Sequence, residues 1–296
     1  MKKFLVSGAS GFLGSAVALR LSRAGHDVVG LDPIAVPDAP QRMIIDDLSD
    51  RSRLRTILQA ETITHVIHCG GVSGPMVLAD APASVMEINV MGTLHLLLAS
   101  LDSGCVETFL YCSSVSAVGD FYEKEPITGD YPLRPTTPYG CSKAAVDMIL
   151  RGLWQRTPID LCALRFTGIY GPGRRTGFVV DDIVAGALQN ETVRVEPATD
   201  WPYIFIDDAA DAVVAACLSE HRRELFYFIA YPEQVTLEQL AAAAGQGHAV
   251  RLVYDRAAKP TARGPLNIQP AQRDFAFAPK VDYREGVRRM VEARRN

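Results

Sequence analysis

Short uninterrupted apolar runs alternate along this chain with longer segments whose apolar positions recur every three or four residues. A strand covered on both faces needs no polar alternation, so the runs predict buried strands at Phe4–Val6, Asp27–Asp32, His65–His68, Thr108–Cys112 and Asp160–Leu164. Helices are predicted between them: after the glycine-rich segment through Arg23, over about 54–59, over about 83–101, and from Pro138 onward. The third of these has its apolar face at Val85, Ile88, Leu94, Leu97 and Leu98. Such alternation implies an α/β fold, a Rossmann-type doubly wound parallel sheet with helices on both faces. After Gly168 the pattern loosens into a Gly171–Gly173 loop, a helix over 178–189, short strands at 193–195 and 204–206, a helix over 207–217 and a strand over 225–229. This predicts a Rossmann domain over 1–167, rejoined by 204–229. A small mixed C-terminal substrate lobe is expected from 168–203 and 230–296.

Composition narrows the class of partner. A length of 296 residues suits one such domain with a lobe, and 48% hydrophobic and 22% charged residues are ordinary for a soluble enzyme. A formal charge of -4 gives no basic surface for nucleic acid, so none is expected as a partner. The basic C-terminal helix (Arg284, Arg288, Arg289, Arg294, Arg295) reads as a solvated face. Six cysteines without a CxxC pair predict free thiols, a cytoplasmic location and no metal site. The opening Met1-Lys2-Lys3-Phe4-Leu5-Val6 is broken by serine and glycine too early for a signal peptide. No run approaches the roughly 20 apolar residues that a membrane span requires, so no membrane partner is expected.

The glycine loop carries the first chemistry. Gly8, Gly11 and Gly14 follow the first strand and open the first helix, an arrangement that permits a tight turn, close approach of a diphosphate and close helix–strand packing. The loop and the helix N-terminus (Gly8, Ser10, Gly11, Phe12, Leu13, Gly14) then offer N–H groups and a partial positive charge to phosphates. Asp32 closes the second strand, where a carboxylate accepts hydrogen bonds from ribose hydroxyls and repels a 2′-phosphate. Neighbouring Pro33 and Ile34 supply no arginine for that phosphate, so the cofactor expected is NAD.

Tyr139 and Lys143 stand at i and i+4 on one helix face, behind an N-cap-like Thr137 and Pro138. A nearby ammonium favours the phenolate and makes tyrosine a better base at neutral pH. Ser114 follows the fifth strand at the carboxyl edge of the sheet, where it can orient a substrate hydroxyl or carbonyl toward Tyr139. Ser113 and Ser116 compete for that role, and any of the three can serve as a turn cap.

In combination these motifs resemble the extended short-chain dehydrogenase/reductase family, the NAD-dependent epimerase/dehydratases. The resemblance runs through GASGFLG at 8–14, DDLSD at 46–50, HVIHCGG at 65–71, INVMGT at 88–93 and YCSSVSAVG at 111–119. It continues through PYGCSK at 138–143, LRFTGIYGPG at 164–173 and FIDDAADAV at 205–213. It implies that Asp47 and Leu48 contact adenine and that Cys69, Gly70 and Gly71 line the phosphate and ribose side. It further implies that Asn89 supports the active-site helix and that Phe166 and Thr167 lie beside the nicotinamide. The catalytic set it implies is Ser114, Tyr139 and Lys143, with hydride passing between a substrate carbon and nicotinamide.

The departures concern substrate. Gly168 stands where family members acting on nucleotide sugars carry an asparagine. Trp201-Pro202 stands where they carry an Arg-Asp pair whose arginine clamps a diphosphate. Arg174 and Arg175 either bind an anion instead or are solvated loop charges. Trp201 either stacks on a sugar-like ring or packs the lobe interface. Candidate substrate contacts are therefore Ser73, Ser114, Ser116, Tyr139, Gly168, Arg174, Arg175 and Trp201. Val115 and Ser116 occupy the places of a dehydratase's Asp-Glu pair, which excludes that subclass. The expectation is an NAD-dependent dehydrogenase acting on a free sugar, sugar acid or similar small polyhydroxy compound. The alternatives are a nucleotide-sugar epimerase with tightly bound NAD and an atypical clamp, or a non-catalytic NAD-binding sensor. A homodimer through helices 83–101 and 138–152 is expected.

Overall fold

The computed structural model describes residues 2–36, 39–197, 200–245, 250–255 and 264–295. Its strands are β1 (Lys3–Ser7), β2 (Asp27–Asp32), β3 (Arg42–Ile45), β4 (His65–His68), β5 (Thr108–Ser114), β6 (Asp160–Phe166), β7 (Ile169–Tyr170), β8 (Val193–Val195), β9 (Ile204–Phe205), β10 (Phe226–Ile229) and β11 (Leu252–Tyr254). Its helices are α1 (Phe12–Arg23), α2 (Arg51–Ala60), α3 (Pro82–Met86), α4 (Gly92–Ser103), α5 (Pro138–Leu153), α6 (Val179–Gln189), α7 (Ile206–Leu218), α8 (Leu237–Gly245), α9 (Gln269–Phe275) and α10 (Tyr283–Arg295). Seven strands form one parallel sheet in the order β10-β6-β5-β4-β1-β2-β3, the doubly wound arrangement expected from the alternation.

Each face of the sheet has its own core. Val17, Leu21, Val213 and Phe275 cover one face, from α1, α7 and α9. Leu54, Leu58, Leu97, Val146 and Leu150 cover the other, from α2, α4 and α5. A third core, with Val180, Ile183, Val193, Leu240, Val287 and Met290, belongs to the lobe formed by α6, α8 and α10. Ile268, Ala271, Phe275 and Phe277 lie in the core of the sheet rather than in that of the lobe, although they follow residue 230.

Three local differences from the sequence pattern have physical causes. β3 is a short edge strand with Ile45 49% exposed, and its run of three apolar residues, Met43-Ile44-Ile45, is not among the strands predicted from the pattern. β5 runs on to Ser114 because Ser113 and Ser114 pair with Arg165 and Phe166 of β6. A π turn at Glu87–Met91 joins α3 to α4 and rotates their faces. The whole helical stretch Pro82–Ser103 is long and apolar enough to cross a membrane by length and composition. Here its buried side chains pack on the sheet against α2 and α5.

One buried ion pair fixes α5 to the sheet. Arg165 of β6 donates to Asp147 of α5 at 2.8 Å, with both side chains about fully buried (1% and 0% exposed). The guanidinium also donates to the Gly129 carbonyl at 2.7 Å and stacks 4.1 Å from the Phe226 ring. Burial pushes the Asp147 carboxyl above its ordinary range, against the pull of Arg165. Removing one partner of such a pair would leave an uncompensated buried charge, so the pair holds α5 in a fixed register above β5 and β6.

Candidate active site

The carboxyl ends of β1, β4, β5 and β6 open into one cavity of about 960 Å³. At its floor the chain passes so close to itself that side chains are excluded. Gly8 has φ +72°, and a Cβ there would lie 2.6 Å from the Gly70 Cα. A Cβ on Gly14 would lie 2.0 Å from the Gly8 carbonyl oxygen. Gly8 N–H donates to Leu31 O and Gly11 N–H to Gly8 O, both at 2.9 Å, which sets the loop. Gly11 begins α1 with extended backbone and no capping side chain, leaving the first-turn N–H groups to face phosphate oxygens. Asp32 is buried and accepts from Ser10 N–H at 3.1 Å and Ile34 N–H at 2.9 Å. A carboxylate has about four acceptor directions, so two backbone bonds orient it and leave capacity for ribose hydroxyls. Asp47 accepts from the hydroxyl and N–H of Ser49, which hold its carboxyl below the usual range, and Leu48 lies beside it in the wall. Cys69, Gly70, Gly71, Phe166 and Thr167 line the same cavity.

The Thr137 hydroxyl accepts from Gly140 N–H at 3.0 Å and Pro138 opens the helix, so the N-cap reading is correct. Tyr139 and Lys143 then share one face of α5 and both line the cavity. The Lys143 ammonium is buried, donates to the Cys112 carbonyl at 3.0 Å, and lies 4.7 Å from the Tyr111 ring centre and 5.8 Å from that of Tyr139. Burial works against this charge, but the phenol oxygens of Tyr111 and Tyr139 outweigh it and hold its pKa above the ordinary lysine value. Ser114 lines the cavity and its hydroxyl accepts from Ser116 N–H at 3.1 Å, so it combines the turn-cap role with a place in the cavity wall. Ser113, on the opposite side of the strand, turns its hydroxyl toward Asp147. Ser116 and Ser73 also line the cavity.

Asn89 is not in the cavity wall. It is buried in the π turn, where its carboxamide accepts from Val72 N–H at 2.7 Å and donates to the Ser142 hydroxyl at 2.9 Å. Ser142 donates in turn to the Tyr139 carbonyl at 2.7 Å, so Asn89 braces the catalytic helix. Gly71 is required beside it, since a Cβ there would sit 2.5 Å from the Asn89 carboxamide oxygen. The relay extends further than the motifs indicate. The Thr93 hydroxyl donates to Asn89 O at 2.5 Å, so it must accept from His68 Nε2–H at 2.8 Å. The other ring nitrogen, Nδ1, is therefore the acceptor of the Ser7 hydroxyl at 2.5 Å. Burial, with Lys143 nearby, pushes the His68 pKa down to about 3 and keeps the ring neutral.

On the substrate side the two loop arginines separate. Arg175 donates to the Ser10 carbonyl and thereby ties the lobe to the glycine loop. Arg174 donates to Ile169 O at 2.5 Å and Thr176 O at 3.2 Å, and its guanidinium lies 4.3 Å from the Phe178 ring centre. Phe178 also explains Gly168: a Cβ at 168 would lie 2.5 Å from the Phe178 ring. Trp201 packs the lobe, as one of its two expected roles has it. Its backbone pairs with Val235 and its ring packs among lobe residues 6.4 Å from Tyr203, while it also lines the cavity. Sequence reasoning missed Phe178, Tyr111, His68 and Ser142. The signal for His68 was there, as a polar residue inside the apolar run at 65–68; Phe178 left none, because its partner is a distant glycine.

The model of the NAD dependent epimerase/dehydratase family matches residues 4–226. The chain belongs to the NAD-dependent epimerase/dehydratase family. A UDP-glucose 4-epimerase of Erwinia amylovora is 33% identical over 180 residues, 55% of this chain and 52% of that protein. UDP-glucuronate 4-epimerase 1 of Arabidopsis thaliana is 28% identical over 72% of this chain and 53% of its own length. The chain thus spans about half the length of these curated relatives, whereas a UDP-glucose 4-epimerase of Mycolicibacterium smegmatis matches over 99% of this chain and 98% of its own, at 28% identity. Among solved structures, UDP-glucose 4-epimerase of Thermus thermophilus in complex with NAD superposes with a TM-score of 0.87, at 26% identity and 99% coverage of both chains.

The neutral His68 makes a pH prediction for this family member. An imidazole with pKa about 3 when folded and about 6.5 when unfolded takes up a proton only on unfolding. Between those values the unfolded state binds more protons, so stability falls as pH drops below 6.5, by about 1.4 kcal/mol per pH unit for this group. Urea unfolding from pH 7 to pH 4 should show a shallower pH slope for His68→Gln than for the wild type. Equal slopes would mean that His68 is already charged in the folded protein.

Proposed function

We propose that this protein is an NAD-dependent oxidoreductase that transfers hydride at a carbinol carbon of a sugar, sugar acid or similar polyhydroxy compound. The observation that carries the reading is the convergence of Ser114, Tyr139 and the buried Lys143 ammonium on the cavity that the glycine loop and Asp32 also line. The close-packed glycines and uncapped α1 N-terminus fit a dinucleotide diphosphate, Asp32 fits the adenosine ribose, and Lys143 with Tyr139 fits the nicotinamide ribose. Bound there, NAD supplies the hydride acceptor. The protein's part is proton transfer: Tyr139 takes the substrate hydroxyl proton as the C–O bond becomes a carbonyl, and returns it in the reverse direction. The Ser114 hydroxyl donates to the same oxygen, and Lys143 stabilises the phenolate.

A second reading, a nucleotide-sugar epimerase with retained NAD, is favoured by the 4-epimerase relatives, one of which matches along nearly its whole length. Trp201-Pro202 in place of a diphosphate-clamping arginine weighs against it. Net NADH release during turnover supports the first reading. NAD that co-purifies and yields no net NADH while a UDP-sugar is interconverted supports the second. Under either, Tyr139→Phe should lower kcat by about 10²–10⁴-fold while NADH binding, read by fluorescence, is retained. A fully active Tyr139→Phe enzyme would contradict the proposed role.

Ile88 (44% exposed), Met91 (38%) and Met148 (56%) present an apolar surface on the packed π turn and α5. We propose that this surface joins two copies of the chain, and that the free thiols work in a reducing cytoplasm. Light scattering should give the mass of two chains for the wild type and of one for Met148→Lys; a wild-type monomer would refute the dimer.

A further inference from the structure

The Arg174 guanidinium is held in place by neutral groups alone. Its Nη1 and Nε donate to the Ile169 and Thr176 carbonyls, and its plane rests on Phe178. No carboxylate among the described residues lies within ion-pair distance of it: Asp181, whose charge reaches it, is paired with Arg294 at 3.0 Å. A guanidinium has five N–H groups, so three remain on an edge that lines the same cavity as Tyr139. Burial disfavours this charge, and no described residue offsets that cost by direct ion pairing. The other cations that line the cavity are held at other places in its wall. Lys143 is bound at Cys112 O, and Arg175 at Ser10 O beside the glycine loop. Glu87 and Asp120 also reach the wall and disfavour an anion beside them.

From this arrangement we infer that Arg174 receives the carboxylate of a polyhydroxy acid and so directs the neighbouring carbinol carbon to Tyr139. The inference rests on the hydride-transfer reading above and narrows its substrate to sugar acids. One planar guanidinium matches one carboxylate through a bidentate pair of N–H···O bonds. A nucleoside diphosphate brings at least two charges, and of the two arginines in the wall only Arg174 lies away from the glycine loop. Phe178 and Trp201 line the cavity with Tyr203 packed behind them, and this aromatic cluster lowers the polarity around Arg174 and strengthens the pair.

The test measures NADH formation by the full chain with D-gluconate, D-galactonate and D-glucuronate, against D-glucose, D-galactose, glucose 6-phosphate and UDP-glucose. The acids should exceed the neutral sugars and the phosphate in kcat/KM by about 10- to 100-fold. Arg174→Gln should erase that preference through KM, Arg174→Lys should restore part of it, and NADH affinity should be unchanged in both. A purely structural role for Arg174 would lower activity on all substrates without altering their ratio, and would overturn the inference. Oxidation of neutral sugars or of glucose 6-phosphate as fast as the acids overturns it while leaving the hydride-transfer reading intact. UDP-glucose interconversion without net NADH from any free sugar overturns both.

Discussion

A single ammonium inside the protein sets the conditions for the rest of the site. Lys143 is 6% exposed, and its charge is tolerable only because the Cys112 carbonyl and the Tyr111 and Tyr139 rings surround it. Those partners come from β5 and α5, so the helix must lie over the strand in one register. Each bond found along α5 serves that requirement. Thr137 caps its start, Asn89 holds Ser142 from one side, and Arg165 holds Asp147 one turn beyond Lys143. The His68 relay then carries the bracing back to β1 through Ser7. Polar groups this deep are costly unless each is satisfied, so the relay also makes the register unique.

The two halves of the cavity are built by different means. The cofactor half is made by strand ends and close glycine contacts, with little side-chain choice available. Gly8, Gly14 and Gly71 are fixed by backbone or carboxamide atoms within 3 Å of where a Cβ would go. The substrate half is made by the lobe, whose side chains pack against each other: Phe178 fills the space above Gly168 and supports Arg174. Substitution there can change the substrate while the hydride chemistry stays, which is how one fold comes to serve many substrates.

Features held in consecutive residues were legible in the sequence. The glycine loop, Asp32 at a strand end, and Tyr139 four residues before Lys143 depend on local geometry and stand where their spacing put them. The family resemblance chose Ser114 over Ser113, and the physical ground for that choice came with β5 continuing through both, because alternation then sends their side chains to opposite faces. Arg174 and Arg175 are adjacent in sequence yet reach different places, one toward Phe178 and one toward Ser10, and only the loop's course decides which. Asp147 lies outside the motifs, and Arg165, though inside LRFTGIYGPG, has no role marked by it. Their pairing joins a strand to a helix, and the sequence records it only as a charge inside each element's apolar side.

The most direct measurement of this account is a crystal structure of the protein grown with NADH. The account predicts the diphosphate against the N–H groups that open α1, the adenosine ribose on Asp32, and the Lys143 ammonium within hydrogen-bonding distance of the nicotinamide ribose, with Ser114 and Tyr139 facing the ring. A dinucleotide bound elsewhere, or one whose nicotinamide end lies away from Lys143 and Tyr139, would contradict it.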